Sequence, residues 1–412
     1  MKRWLGSDPV ACAGSAANPQ DTEKVYDLII LGGGCAGLSL AMRLAAQGDR
    51  CPRTLVLEAR SAYADDRTWC FWDDGSMWLH HLVRHSWRSM TITTPDQATT
   101  ADCGAMAYRM LPSGAFYAEA LARIALNDRI DIILGSPVTA KPEKVHDAWR
   151  ISTDDCVGTA RWVIDTRPSR RPRTGDATLW QSFSGHEVVC ERAIFDPERT
   201  DLMDFSESRR GRIAFTYILP TSTTSALIET TIFDPEPFDQ VAMAPGLASA
   251  TERCLGNAAY TVNRTEHGVL PMGGQPVPIN ADRSFITVGL HAGAARPSSG
   301  YAFRRIQTWA EECASELLAG GAPQGHRRDP LLLQAMDGLF LSVLDANREL
   351  APWLFHALFA KADTQRVIRF MSDQGTIADY IAMAATLPTG LFLRQIPAAL
   401  ANHIGRRQEA AS

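Results

Sequence analysis

Near the start of the chain, Gly32-Gly33-Gly34-Cys35-Ala36-Gly37 has the types and spacing to hold a pyrophosphate, satisfying G-x-G-x-x-G. In that pattern Gly32 permits a tight turn, Gly34 lets the backbone approach the phosphates, and Gly37 lets a helix pack closely on a strand. Glu58 follows 21 residues after Gly37, where a carboxylate accepts ribose hydroxyls. With Leu31 before the turn, these residues are expected to bind the adenine half of a dinucleotide. The motif serves FAD and NAD alike. Two other places carry reactive types. Asp66-Arg67-Thr68-Trp69-Cys70-Phe71-Trp72 is charged at one end and aromatic at the other; its rings suit either a ligand wall or an ordinary core. Glu229 lies in the run Ser225 to Phe233, where alternation puts it with Leu227 on one face and Ile228 on the other. Spacing alone leaves it as either a proton-transfer carboxyl or a solvent-facing residue of an outer strand.

The elements that must position these residues follow from periodicity. Val25 to Leu31 is a short apolar run ending in glycines, hence a buried parallel strand. Leu38 to Gln47 is helical in composition, with Gly48 as its expected C-cap, and Thr54 to Glu58 is a second buried strand. This is one complete βαβ unit. Phe116 to Ala125 reads as helix. Arg129 to Leu134, Trp149 to Ser152 and Arg161 to Asp165 read as strands, and Arg167 to Gly175 as a linker. Gly211 to Leu219 and Ser225 to Phe233, joined by the turn Pro220 to Thr224, predict a hairpin in an antiparallel sheet. Ser284 to Gly289 returns to a buried strand. Tyr301 to Leu318 is a long amphipathic helix, and more helix follows from Pro330. The expected fold is α/β: a Rossmann-like dinucleotide-binding domain (25–75, 105–170 and 280–318) interrupted by an antiparallel-sheet substrate domain (76–104 and 171–279). Residues 1–24 are expected to be a disordered extension, and 319–412 a helical region with a membrane-contacting face.

Composition narrows the classes. The chain has 412 residues, 45% hydrophobic and 21% charged, with net charge −5. Nucleic-acid binding would want a basic excess, so none is expected. The nine cysteines include no C-x-x-C pair, so no zinc ribbon and no other metal site is expected. Unpatterned thiols fit a reducing, cytoplasmic compartment. Met1-Lys2-Arg3-Trp4-Leu5 turns polar without the apolar stretch of a secretory signal, and no run of about 18 apolar residues predicts a membrane-spanning helix.

A second glycine-rich segment, Gly289-Leu290-His291-Ala292-Gly293-Ala294-Ala295-Arg296-Pro297-Ser298-Ser299-Gly300-Tyr301, resembles the C-terminal flavin motif of the aromatic-hydroxylase-like flavoproteins. That resemblance selects FAD and implies contacts from Gly289, Gly293, Pro297 and Gly300. Leu290 stands where those proteins usually have Asp, so the ribityl contact is expected from backbone amides. Asp165-Thr166-Arg167-Pro168 also departs from their usual continuation after this strand, which leaves Asp165 and Arg167 as minor candidates.

Further stretches go together: the Asp66–Trp72 segment, Ala226-Leu227-Ile228-Glu229-Thr230-Thr231, Glu266-His267-Gly268-Val269-Leu270-Pro271-Met272, Arg296-Pro297-Ser298-Ser299-Gly300-Tyr301, and Ile368-Arg369-Phe370-Met371-Ser372. In this order they resemble the bacterial lycopene β-cyclases of carotenoid biosynthesis, from about Tyr26 to about Arg394. The resemblance implies a membrane-associated flavoprotein with a Rossmann-like FAD-binding domain. It would close β-ionone rings on lycopene, to γ-carotene and then β-carotene, without net redox change. Reduced FAD would be required, with NADPH or NADH as electron donor. It implies Glu229 as acid/base, Asp66 as a second acid/base group, and Arg67 beside the cofactor. Lycopene and other ψ-end carotenoids would be substrates, the inner face of the cell membrane the location, and other carotenoid enzymes the neighbours. Gly338 to Val343, Pro352 to Phe359 and Leu387 to Leu393 are rich in large apolar residues and read either as interfacial helices, with Arg366, Arg369 and Arg394 near lipid phosphates, or as helices that cap the core. The alternative on the same fold is an FAD-dependent monooxygenase or a geranylgeranyl-type isoprenoid reductase. A non-catalytic flavin-fold carrier would lack the phosphate-contacting glycines, which are intact here.

Overall fold

The computed structural model describes residues 24–154, 156–168, 172–206, 211–273 and 282–409. Of the expected N-terminal extension only Lys24 falls among them, and it already belongs to the first strand; part of the expected 167–175 linker also lies outside.

β1 (Lys24–Leu31) is fully buried from Leu28 to Leu31, as a strand covered on both faces must be. α1 (Cys35–Ala45) leads to β2 (Thr54–Glu58), which pairs parallel with β1 from Leu28–Thr54 to Leu31–Leu57. α1 stops at Ala45 and Ala46 caps it. Gly48, at φ +58, opens a separate 3₁₀ turn instead of capping. The left-handed residue is spent one turn later because Ala46 and Gln47 still donate back to Met42 and Leu44.

β3 (Thr68–Asp73) pairs antiparallel with β4 (Ala107–Pro112) in a small sheet. α2 (Ser113–Ala125) follows, and then β5 (Ile130–Leu134), parallel to β2. β6 (Val157–Asp165) runs parallel to β1, giving the order β5-β2-β1-β6. β6 starts earlier than its apolar end suggests, because a strand over Ala148–Ser152 pairs antiparallel with its first half.

The second sheet is antiparallel at its centre. It contains β7 (Leu179–Cys190), β8 (Ile213–Pro220) and β9 (Ser225–Asp234), then, after α3 (Gln240–Leu255), β10 (Tyr260–Met272). The order is β10-β7-β9-β8. Strands over 199–204, 89–93 and 98–102 extend its far edge. Ile228 and Val188 on one face pack with Leu255 of α3, and the opposite face looks into the molecule.

The chain then returns to the first sheet through β11 (Phe285–Thr287), parallel to β6. α4 (Phe303–Leu318) packs on α1, burying Phe303, Ile306, Trp309 and Ala310. α5 (Leu331–Ala346), α6 (Ala351–Lys361), α7 (Thr364–Met371), α8 (Ile377–Ala385) and α9 (Thr389–Glu409) complete the molecule. They roof the second sheet: Leu341, Leu344, Leu354 and Phe355 share a core with Phe215, Phe233 and Met272. A buried ion pair ties this roof to the second glycine-rich loop. The Arg296 guanidinium faces Asp337 of α5 at 3.3 Å and stacks over Phe370 of α7 at 4.0 Å, and the Ser298 hydroxyl donates to Asp337 at 2.7 Å. Arg369, expected near lipid phosphates, is part-exposed and makes a two-point pair with Asp379 at 2.6 and 3.0 Å. Among the described residues, no helix is long and apolar enough to cross a membrane.

Candidate active site

One cavity of about 760 Å³ runs from the glycine turn after β1 to the inner face of the second sheet. That is within the range of sites for small molecules and cofactors, roughly 300–1,000 Å³.

At its first end the local chemistry suits a dinucleotide. Gly32 has φ +98, and a Cβ there would lie 2.6 Å from the Thr166 hydroxyl, which donates to the carbonyls of Leu31 and Gly32. A Cβ on Gly37 would lie 2.1 Å from the Gly32 carbonyl. Gly34 faces open space, and α1 begins there with no side-chain cap. Its first N–H groups, at Cys35 and Ala36, therefore stand at the cavity wall, where an anion is favoured. Glu58 accepts from the Gly33 N–H at 2.6 Å and from Arg60 Nε at 2.9 Å. Burial raises its pKa, but the hydrogen bonds from Arg60 and Gly33 bring it below the usual carboxylate range.

The other end is built on three adjacent strands. Gly185 of β7 lies opposite Glu229 of β9 on one side and Glu266 of β10 on the other. All three share one face of the sheet, and Gly185 contributes no side chain between them. The two carboxyls meet across it, within hydrogen-bonding reach of each other. A Cβ on Gly185 would touch Glu266 Cγ at 3.2 Å and Glu229 Cβ at 3.4 Å. Burial, then the neighbouring Glu266, push Glu229 well above the normal carboxylate range. Burial also raises Glu266, but Arg264 opposes the shift. Arg264 donates to Glu266 at 2.8 Å, to Glu187 at 3.0 Å and to the Thr68 hydroxyl at 2.8 Å; Thr68 in turn donates to Glu266 at 2.9 Å. The carboxyls thus sit in unequal environments, which is how one of two neighbouring acids keeps its proton at neutral pH.

Aromatic rings complete the wall: Trp69, Phe71 and Trp72 of β3, with Tyr108, Phe183, Tyr217, Tyr301 and Phe303. Trp69 and Phe71 both stack on Phe303, at 5.0 and 5.2 Å. Burial raises the Tyr217 hydroxyl and the Cys70 thiol. A cationic group here would find π faces and a carboxylate and little water.

A family model for lycopene cyclase protein matches residues 27–395. The chain belongs to the lycopene cyclase family. A lycopene beta-cyclase from Paracoccus sp. (strain N81106 / MBIC 01143) is 28% identical over 399 residues, covering 90% of this chain and 97% of that protein. One from Pantoea ananas is also 28% identical, over 67% of this chain and 70% of its own. In three dimensions, a flavoprotein/dehydrogenase from Cytophaga hutchinsonii aligns with TM-score 0.56 at 10% identity, covering 92% of this chain and 100% of its own. The fold of this lycopene cyclase family member is therefore α/β, of the kind seen in that flavoprotein, with a helical C-terminal region.

The cavity gathers most of the residues singled out in the sequence. Gly32, Gly34, Cys35, Ala36, Glu58, Asp66, Arg67, Glu229, Gly289 and Gly300 line it. Leu31, Gly33 and Gly37 lie just behind the turn and shape it, while Gly293 and Pro297 are not on the wall. Asp66 sits apart from the carboxyl pair, in a cradle of Arg67 at 3.0 Å, Arg60 at 3.7 Å and the Ser113 hydroxyl at 3.1 Å. Burial alone would raise its pKa, but Arg67, Ser113 and Arg60 hold it below the usual range, a poor setting for a proton donor. Asp165 and Arg167 pair with each other at 2.7 Å. Sequence reasoning gave no role to Glu266, Arg264 or Gly185. The available signal was the Glu266–Met272 stretch already singled out beside the Glu229 motif, but nothing in the sequence says that the two strands flank a third.

The wall fits a flavin dinucleotide. The glycine turn and Glu58 form the adenine end, and Gly289, Leu290 and Gly300 lie toward the rings. Between them Gln181 Oε1, Ser299 Oγ and Ser372 Oγ are buried on the wall with no hydrogen-bond partner among the described residues. Buried polar atoms without partners are costly, and a polar ligand edge would satisfy them.

Proposed function

We propose that this protein is a lycopene β-cyclase that uses bound FAD without net redox change. The observation that carries the reading is the pair of buried carboxyls, Glu229 and Glu266, facing each other across Gly185 at the aromatic end of a cavity whose other end is a dinucleotide turn.

Gly32 to Gly37, Glu58, Gly289 and Gly300 would hold the cofactor. In its reduced form, with NADPH or NADH as electron donor, flavin supplies negative charge beside cationic intermediates. The protein's own groups then do the following. Glu229 gives its proton to the terminal double bond of a ψ end and leaves a tertiary cation. Trp72, Tyr217 and Tyr301 exclude water and present π faces while the neighbouring double bond attacks and closes the ring. The carboxyl pair then takes back one proton from the ring, so the pair ends each turnover as it began. Arg264 and Thr68 donate to Glu266 and so favour it as the acceptor in that pair. Substrate and product are isomers, and the charge ledger closes. Ring closure can be repeated on the second end, carrying γ-carotene to β-carotene.

A hydrocarbon substrate arrives from lipid. Trp353, Ile377, Ile381 and Leu393 are large apolar residues exposed on the roof helices, which supports peripheral seating on the inner face of the cell membrane.

The test is expression in a lycopene-accumulating bacterium, followed by pigment analysis. β-Carotene should form, and purified protein with carotenoid in liposomes should consume no stoichiometric NAD(P)H. Persistent lycopene beside flavin-loaded protein would overturn the reading. One NAD(P)H oxidised per product would instead indicate a monooxygenase or an isoprenoid reductase.

A further inference from the structure

A second cavity of about 250 Å³ lies between the second sheet and the roof helices. It shares Trp72, Tyr217, Ser299, Tyr301 and Met371 with the first cavity, so the two meet beside the aromatic wall of the carboxyl site. From there its lining is almost wholly apolar, including Leu202, Phe233, Leu339, Phe340, Met383 and Phe392. The one charged group on it, Asp337, is already satisfied by Arg296 and Ser298. At the far end the lining reaches Leu393, 60% exposed, and Ile396, 37% exposed, both on α9, and the exposed Ala384 on α8. Ile377 and Ile381 extend this apolar rim over the outside of α8.

We propose that this second cavity is a binding channel for the unreacted length of a linear hydrocarbon whose end lies at Glu229. The proposal rests on the reading of the Glu229 site given above and adds to it the path of the chain. A pocket that holds only a terminal ring precursor must let the rest of a long substrate leave somewhere. The one apolar route that the described residues open from the carboxyl site leads under α8 and α9 to an exposed apolar rim. An uncharged chain meets no unpaired charge along it. A polar or anionic ligand would find no partner, since buried polar groups need one. α8 and α9 form the doorway, and Ala384 on its lining presents only a methyl group.

The probe is a linear isoprenoid hydrocarbon with a ψ end at one terminus and a diazirine near the other, incorporated with the full-length protein in phosphatidylcholine liposomes and irradiated. Peptide mass spectrometry should find the label on α5, α8 and α9, at positions such as Met336, Leu339 and Met383. Label confined to other surfaces, or spread evenly over exposed apolar residues as a lipid tail would spread, overturns the channel. Labelling does not require turnover, so it reports on the channel even in a preparation that fails to cyclise lycopene, which would count against the Glu229 reading alone. In a second arm, Ala384→Trp narrows the doorway from an exposed position. The ratio of kcat/KM for full-length lycopene to that for a short acyclic ψ-end isoprenoid should fall roughly tenfold or more. An unchanged ratio overturns the proposal, whether or not both activities drop together through damage to the roof.

Discussion

Glu229 is held in a state that water would not allow. It is an acid beside another acid, deep in apolar and aromatic surroundings, and each influence favours the neutral form. Below the unfolded-state pKa of a glutamate, about 4.3, the group is neutral folded or unfolded and costs nothing. Above it the unfolded chain ionises while the folded carboxyl stays neutral, so stability falls as pH rises from there toward the raised folded value, at which the protonated donor is lost as well. Cyclisation should therefore fall on the alkaline side, and this limb should reflect the pair rather than one residue. Glu229→Gln should keep flavin, measured by visible absorbance, and lower turnover about 100-fold or more, while its melting temperature becomes less sensitive to alkaline pH. A variant with full activity would remove Glu229 from the chemistry. Glu266→Gln should also impair turnover, and it should shift the alkaline limb instead of abolishing it. Glu229 was legible from its strand and its resemblance to a known motif. Glu266 was equally visible as a residue and silent as a partner, because 37 residues and a helix separate it from Glu229 and only strand pairing brings them together.

At the scale of elements, the middle strand of a row matters more than its neighbours suggest. Gly185 weakens β7 as any glycine in a strand does, yet its missing side chain is what lets β9 and β10 join their carboxyls. Gly185→Ala would force contacts of 3.0 to 3.4 Å on Leu227, Glu266 and Glu229. The expected cost is about 1–3 kcal/mol of stability, seen as a lower melting temperature. Turnover should drop while flavin content stays normal. Gly37→Ala should act in the opposite way: its Cβ cannot coexist with the Gly32 carbonyl at 2.1 Å, so flavin should be lost first and activity with it. The βαβ unit and the β8–β9 hairpin were readable because short buried runs and a Pro-Thr-Ser-Thr-Thr turn leave few alternatives. The end of α1 was not, since glycine at position 48 suits either a helix cap or the turn that follows. The Arg369–Asp379 pair was not legible either, since it depends on how α7 and α8 fold together.

Across the whole molecule, Arg296 joins parts that lie far apart in sequence. Its guanidinium is wholly buried, paired with Asp337 and stacked on Phe370. Asp337→Leu leaves that charge only the more distant Asp373 at 3.7 Å, and breaking a buried pair on one side costs up to about 3–5 kcal/mol. The single variant should unfold well before the wild type in urea, and the double variant Arg296→Met/Asp337→Leu should regain much of the loss. If the double variant is no better than the single, the pair is not the cause. This tie also couples the loop that carries Gly289 and Gly300 to the helices over the second cavity. A ligand bound only by the folded state adds RT ln(1 + [L]/Kd) to its stability, and here that gain reaches the roof as well as the loop. In a cell short of flavin, newly made chains would therefore hold a looser roof and be exposed to proteases. On the proposed function, scarcity of the cofactor would then appear as fewer copies of the protein, and ring formation would follow cofactor supply through turnover of the protein itself.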